Sequence, residues 1–255
     1  MGTVVTVDVY TTDAEAGDEI FRQLATAQAL LHRADAVFST WNPRSPISRL
    51  RRAEITCSQA PAEVREVLDL CATARELTGG WFDPWALPGG IDPTGYVKGW
   101  AAQRAISAFC ADSISGVIVN AAGDIASFGG LGPGRPFNIG IADPFSPRRL
   151  AAVACLTGAI ATSGTYERGN HLVDPHSGRP AARVASASVT GPDLGLADAL
   201  ATAVAVAGVP GLSMIEALDG YEAMVIAHDG ALLWTERFPF AQGRQPDRSR
   251  RMSRR

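Results

Sequence analysis

Lysine is almost missing from this chain. Of its 23 basic residues, 22 are arginine and only Lys98 is lysine. No Cys-x-x-Cys pair occurs: the cysteines stand alone at 57, 71, 110 and 155. That excludes a zinc ribbon or a thioredoxin-like site, and the four read as small buried hydrophobes of a reducing compartment. No apolar run reaches the ~18 residues that a bilayer span needs. No basic segment leads into an apolar one, so no signal peptide is visible and a cytoplasmic location is expected. Gly-x-Gly-x-x-Gly is absent as well. The cluster Gly129-Gly130-Leu131-Gly132-Pro133-Gly134 departs from it, and its prolines oppose a following helix, so it reads as a surface turn.

What is present is ordinary globular material, 46% hydrophobic and 19% charged over 255 residues. Arg244 to Arg255 holds six Arg and one Asp, a local +5; the net charge of −3 therefore leaves −8 on residues 1–243. An acidic body lacks the basic face that a nucleic-acid scaffold needs. The tail after Phe240 is nearly devoid of apolar residues and is expected to be disordered, with weak contact to an anionic membrane as the alternative. The expected organisation is one domain over 1–240 and an Arg-rich tail over 241–255.

Alternating β-branched residues predict a strand over 3–10. Ile20, Leu24, Ala27, Leu31 and Ala34 share a helical face, predicting a helix from Asp13 to about Phe38, capped by Thr12 or Asp13. Residues 39–52 read as a loop and 62–77 as a helix stopped by Gly79-Gly80. An irregular stretch follows over 81–95, then a helix over 97–110. Strands are expected near 114–120, 136–142, 151–156, 159–165 and 184–190, with a glycine-rich turn or short hairpin at 123–134. A helix over 196–207 and a short one over 210–218 come next. The segments 221–227 and 232–238 flank Asp229-Gly230, a hairpin signal. Strands outnumber helices without alternating regularly with them. The expected class is α+β with a largely antiparallel sheet and packed helices, not a doubly wound fold.

Three constellations carry chemistry. Asp198 and Thr202 lie one helical turn apart in an otherwise apolar segment. The plain reading is a helix-start charge with Thr202 bonding back to a carbonyl. The sharper one is a hard-cation site suited to a Mg²⁺ that keeps waters and meets phosphates. The second is Asp92-Pro93-Thr94-Gly95-Tyr96-Val97-Lys98-Gly99. A lysine at a helix start is electrostatically misplaced unless an anion sits there; the plain reading is a solvated surface lysine. The third is His171-Leu172-Val173-Asp174-Pro175-His176-Ser177-Gly178. A type I turn from Asp174 to Gly178 explains part of it, but not a His three residues before an Asp. Ser163 with His171 and Asp174 can be drawn as a triad, but closeness in sequence is no evidence for one.

These segments occur in an order that resembles the FAD:protein FMN transferase (ApbE-like) family, as a short member. The resemblance runs through Met1-Gly2-Thr3, Phe38-Ser39-Thr40-Trp41, Ser45-Pro46-Ile47-Ser48-Arg49-Leu50 and Gly80-Trp81-Phe82-Asp83-Pro84. It continues through Asp92 to Gly99, Val119-Asn120-Ala121-Ala122-Gly123-Asp124-Ile125, Ala161-Thr162-Ser163-Gly164, His171 to Pro175 and Ala197 to Thr202. It implies an α+β fold with an FAD cleft between two lobes. Met1, Trp41, Trp81, Phe82, Asp83, Asp92, Lys98 and Val173 match positions lining the flavin nucleotide. The Gly95 carbonyl, Asp198, the Ala201 carbonyl and Thr202 match a magnesium site. His171 matches a histidine implicated in transfer. A hydroxyl is a poor nucleophile and needs a base within reach; His171 is the candidate, and Asp174 the candidate orienter.

The implied reaction moves FMN from FAD to a Thr or Ser hydroxyl of a target protein carrying a Ser/Thr-Gly-Ala-Ser/Thr-like motif, and releases AMP. The implied cofactor is Mg²⁺, with FAD as substrate. An FAD pyrophosphatase, a non-catalytic flavin-binding protein and, more remotely, a serine hydrolase are the rivals. Thr157-Gly158-Ala159 is followed by Ile160, so no self-modification is expected. Ala122 replaces a glycine common in the family, and only eight residues separate Asp83 from Asp92, where many members carry a long insert.

Overall fold

The computed structural model describes residues 2–13, 15–87, 89–110, 112–164, 172–181 and 183–246. Its centre is a seven-stranded sheet. The strands are β1 (Val5–Thr11), β2 (Ile114–Ala121), β3 (Asp124–Gly129), β6 (Ala159–Gly164), β9 (Ser186–Gly191), β10 (Glu222–Ile226) and β11 (Leu232–Trp234), adjacent in that order. Every neighbouring pair is antiparallel. β4 (Phe137–Asp143) and β5 (Ser146–Leu156) form a separate hairpin, and β7 (Val173–Asp174) with β8 (Arg179–Pro180) a very short one. The α+β, largely antiparallel expectation is met.

Each face of the sheet is covered. On one face lie α4 (Thr94–Ile106) and α5 (Leu194–Ala207), joined by Val117 and Val119 of β2 in the main core. α1 (Gly17–Phe38) and α3 (Ala62–Leu77) extend this layer into a second cluster around Val64, Val67, Trp100 and Ala203. On the other face, Ile118, Ile125, Ile160 and Met224 pack against Phe137, Ile141 and Leu156 of the β4–β5 hairpin. α5 is buried on nearly every side, which is why its sequence is apolar all round rather than striped. Asp193 caps it by accepting the Leu196 N–H at 2.7 Å.

α4 and α5 cross unusually closely. A Cβ at Gly99 would lie 2.3 Å from the Leu194 carbonyl oxygen. Glycine there lets the backbones touch, and so brings Lys98 of α4 near Asp198 of α5.

Several expectations change. The loop over 39–52 contains α2 (Pro46–Arg51). Ser45 accepts the Ser48 N–H at 3.1 Å and Pro46 holds the first helical position, so a proline that looked like a breaker is an initiator. α4 starts at Thr94, not 97: the Pro93 carbonyl accepts the Val97 N–H at 3.0 Å, and the Asp92 carboxylate accepts the Thr94 N–H at 3.1 Å just ahead of it. α1 starts at Gly17, and neither Thr12 nor Asp13 caps it. The stretch 123–134 supplies β3. Of the cysteines only Cys71 is buried, where burial pushes its thiol pKa up; Cys57 and Cys110 are exposed, and all four are free. Packing also runs past the expected boundary at 240: Ala241 is buried and its N–H donates to the Val153 carbonyl at 2.8 Å. Among the described residues, no helix is long and apolar enough to cross a membrane. A short α6 (Gly211–Glu216) follows α5.

Candidate active site

A cavity of about 200 Å³ opens where α4, α5, the end of β6, the 81–92 loop and the 172–175 segment meet. The 81–92 loop supplies Trp81, Phe82, Asp83 and Asp92 to its lining; α4 supplies Gly95 and Lys98; α5 supplies Asp198 and Thr202; Val173 closes one side. These are nine of the residues expected at the site. Ala201 is wholly buried within α5, and its side chain does not reach the cavity. Trp41 is 93% exposed and lies off the cavity lining. Met1 and His171 lie outside the described residues.

The floor is a charged cluster. Lys98 forms an ion pair with Asp124, and its Nζ is 3.8 Å from Asp198 Oδ2. Asp124 is fully buried, and its Oδ1 accepts the Thr162 N–H at 3.1 Å. Asp124 was quoted above only as part of a segment, not as a site residue. The sequence showed only a carboxylate directly after a glycine, in a chain with one lysine. The turn that delivers it is tight: Ala122 has φ 52° and Gly123 φ 93°, and the Asn120 side chain accepts the Gly123 N–H at 2.8 Å. Ala122 lies in the left-handed region that glycine occupies without strain. It also lines the cavity.

The oxygens beside Lys98 suit a hard cation. Thr202 Oγ1 is 3.2 Å from Ser163 Oγ, and a Cβ at Gly95 would be 3.9 Å from Thr202 Oγ1, so the Gly95 backbone adjoins this hydroxyl. Asp198 precedes Thr202 by one turn and is buried. Among the described residues no three His, Cys, Asp or Glu side chains gather as a metal cluster. One carboxylate with hydroxyl and backbone oxygens is instead the donor set of a magnesium ion that retains waters. Ser163 therefore has a hydroxyl as its neighbour.

The rim is held differently. Asp83 accepts from Arg75 Nε at 2.6 Å and from the Trp85 N–H at 2.9 Å. Asp92 accepts the Thr94 N–H just ahead of α4 and sits 3.8 Å from Arg51, which also donates to the Gly89 carbonyl at 3.1 Å. Trp81 is packed edge-on by His176, with centroids 4.5 Å apart, and the Arg183 guanidinium lies 5.0 Å from its ring centroid. Asp174 accepts the His176 N–H at 2.9 Å and lies 3.5 Å from Arg183. Burial alone would raise its pKa; the His176 and Ser177 hydrogen bonds and Arg183 outweigh burial and hold it below the usual carboxylate range. Its carbonyl accepts the Ser177 N–H at 3.2 Å and the Gly178 N–H at 2.8 Å, so the chain turns here as expected, with the shorter bond closing a five-residue α-turn rather than a type I turn.

Comparison with known proteins now has a geometry to explain. Residues 1–90 and 86–225 match the ApbE family. The chain belongs to the ApbE family. An FAD:protein FMN transferase of Rhodobacter capsulatus is 36% identical over 155 residues, which cover 57% of this chain and 29% of that protein. The chain thus spans under a third of that relative. Among solved structures, the flavin transferase ApbE from Vibrio cholerae has a TM-score of 0.76 at 21% identity, covering 92% of this chain and 94% of that one. The ApbE protein from Thermotoga maritima has a TM-score of 0.76 at 24% identity, with coverage of 92% and 94%. These likenesses establish the ApbE fold.

Proposed function

We propose that this ApbE-family chain is an enzyme that transfers FMN from FAD to a Ser or Thr hydroxyl of a target protein, with Mg²⁺ as cofactor. The observation that carries the reading is the convergence of one ammonium, one buried carboxylate and two hydroxyls beside an aromatic wall in a single cavity. The flavinyl transferase relative supports it.

The parts divide the work. Trp81 and Phe82 offer apolar surface to a flat ring, and Arg183 with His176 holds the Trp81 ring in place. Lys98 neutralises phosphate charge. Asp198, Thr202 and the Gly95 carbonyl, with the Ala201 carbonyl by resemblance, would hold the magnesium. When bound, that ion supplies charge neutralisation at the pyrophosphate oxygens. The acceptor hydroxyl oxygen forms the new bond to the FMN phosphorus. The P–O bond to AMP breaks, and AMP departs with that oxygen. The hydroxyl proton passes to a base, the role assigned by resemblance to His171. Asp174 is committed to its own turn and to Arg183, which suits support of the Trp81 wall.

The target is expected to present a Ser/Thr-Gly-Ala-Ser/Thr-like segment. The domain proposed for this chemistry covers 1–240 together with the packed Ala241, with the Arg-rich end after it separable. The test is incubation with FAD, Mg²⁺ and an acceptor peptide, followed by mass spectrometry. A gain of one FMN phosphoester on the peptide with release of AMP is expected. Free FMN and AMP without peptide modification would make the protein an FAD pyrophosphatase. Intact bound FAD would make it a flavin-binding protein.

A further inference from the structure

Lys98 stands between two buried aspartates, and they are not equivalent. Asp124 contacts its ammonium directly, whereas Asp198 Oδ2 is 3.8 Å away. Asp124 is also held from a second side. Its other oxygen accepts the Thr162 N–H of β6, and its backbone begins β3 directly after the left-handed turn at Ala122 and Gly123. It is 0% exposed and is not part of the cavity lining. A carboxylate so placed does not face the cavity. Its reach is to the lysine, whose side chain stays 21% exposed and does line the cavity.

We propose that Asp124 is a positioning residue that keeps Lys98 from being captured by Asp198. This rests on the reading of Asp198 and Thr202 as the cation site. An ammonium close to a cation's carboxylate ligand acts as a competitor, since both are positive and both seek the same oxygen. Lys98 has no other carboxylate within ion-pair distance among the described residues than these two. With Asp124 present, the lysine has a nearer partner, and its hold on the Asp198 carboxylate is the weaker of the two. The three side chains together carry one net negative charge; a divalent cation turns that into one net positive charge facing the pyrophosphate dianion. Asp124 thereby sets two properties it never touches directly: cation affinity and the place of the phosphate-side ammonium.

Substitution tests this without any transfer assay. Asp124→Asn keeps the side-chain shape and its bond from Thr162 but removes the negative charge. Lys98 then turns to Asp198, and Mn²⁺ binding to flavin-free protein, measured by electron paramagnetic resonance, is expected to weaken about tenfold. Adding Lys98→Met in that background removes the competitor and is expected to restore Mn²⁺ affinity to within about threefold of the unsubstituted protein. A merely structural Asp124 predicts no such rescue. Lys98→Met alone, which keeps Asp124, is expected to bind Mn²⁺ at least as tightly as the unsubstituted protein and FAD more weakly, and it covers the case in which Asp124→Asn fails to fold. Unchanged Mn²⁺ affinity in Asp124→Asn, a double variant no better than the single, or weaker Mn²⁺ binding in Lys98→Met overturns the proposal. None of these outcomes depends on FMN transfer, which the peptide assay decides separately.

Discussion

The floor of the cavity is built on two aspartates and the rim on three, and the two groups are employed differently. At the rim, Asp83 and Asp92 accept backbone N–H groups, and their counter-ions are Arg75 and Arg51. At the floor, Asp124 and Asp198 are buried around Lys98. Arginine is a broad, permanently charged fork suited to bracing a loop. Lysine is a compact point charge on a flexible stem, able to face a phosphate while paired behind. The one lysine of the chain stands where bracing is not the task. The same residue type, aspartate, thus builds a wall in one place and a charge cluster in the other, and the counter-ion tells the two apart.

Breaking the floor is expected to cost most. Asp198→Ala removes the anionic ligand proposed for magnesium, and transfer should fall by about 10³-fold. A variant with near-normal turnover would remove Asp198 from the cation site. Lys98→Ala comes next: FAD affinity is expected to drop about 10- to 100-fold, as for loss of one charge-assisted hydrogen bond. Equilibrium titration of flavin fluorescence measures it, and unchanged affinity returns Lys98 to an ordinary surface lysine. Ala122→Gly relieves a left-handed alanine under the floor and is expected to raise stability by up to about 1 kcal/mol, offset in part by the freer unfolded chain. Thermal unfolding would reveal it; a loss of stability contradicts the strain.

At the rim the effects shrink. Arg75→Ala breaks an ion pair whose arginine side chain is 54% exposed, so less than about 1 kcal/mol of stability should go. A large loss would show that the rim is as tightly coupled as the floor. Asp174 gives the smallest effect. Its carboxyl titrates below the ordinary value in the folded chain. It therefore stabilises the fold above about pH 4 and loses that contribution as pH falls through the lowered value. Asp174→Asn should flatten the acid limb of the stability curve and leave neutral pH little changed.

Much of the site was legible because its chemistry is local. Asp198 and Thr202 are one turn apart, and a carboxylate in an all-apolar helix announces a partner. Lys98 was conspicuous by composition. Asp124 was not legible as a site residue, because its role depends on Lys98, 26 positions away in sequence, and on the turn that swings it under the cavity. Trp41 is the opposite case: its segment matched, and its ring is exposed and off the cavity lining. α2 was hidden because Pro46 reads as a break unless Ser45 is known to cap it.

By itself the sequence determined the family, the α+β class and the helix that carries Asp198, because periodicity and motif order are properties of the chain alone. Only the tertiary structure decided which carboxylate holds the lysine. That choice is made by the close crossing of α4 and α5 at Gly99 and by the left-handed turn before Asp124. Short-range charge pairing depends on ångströms that spacing along a chain does not encode.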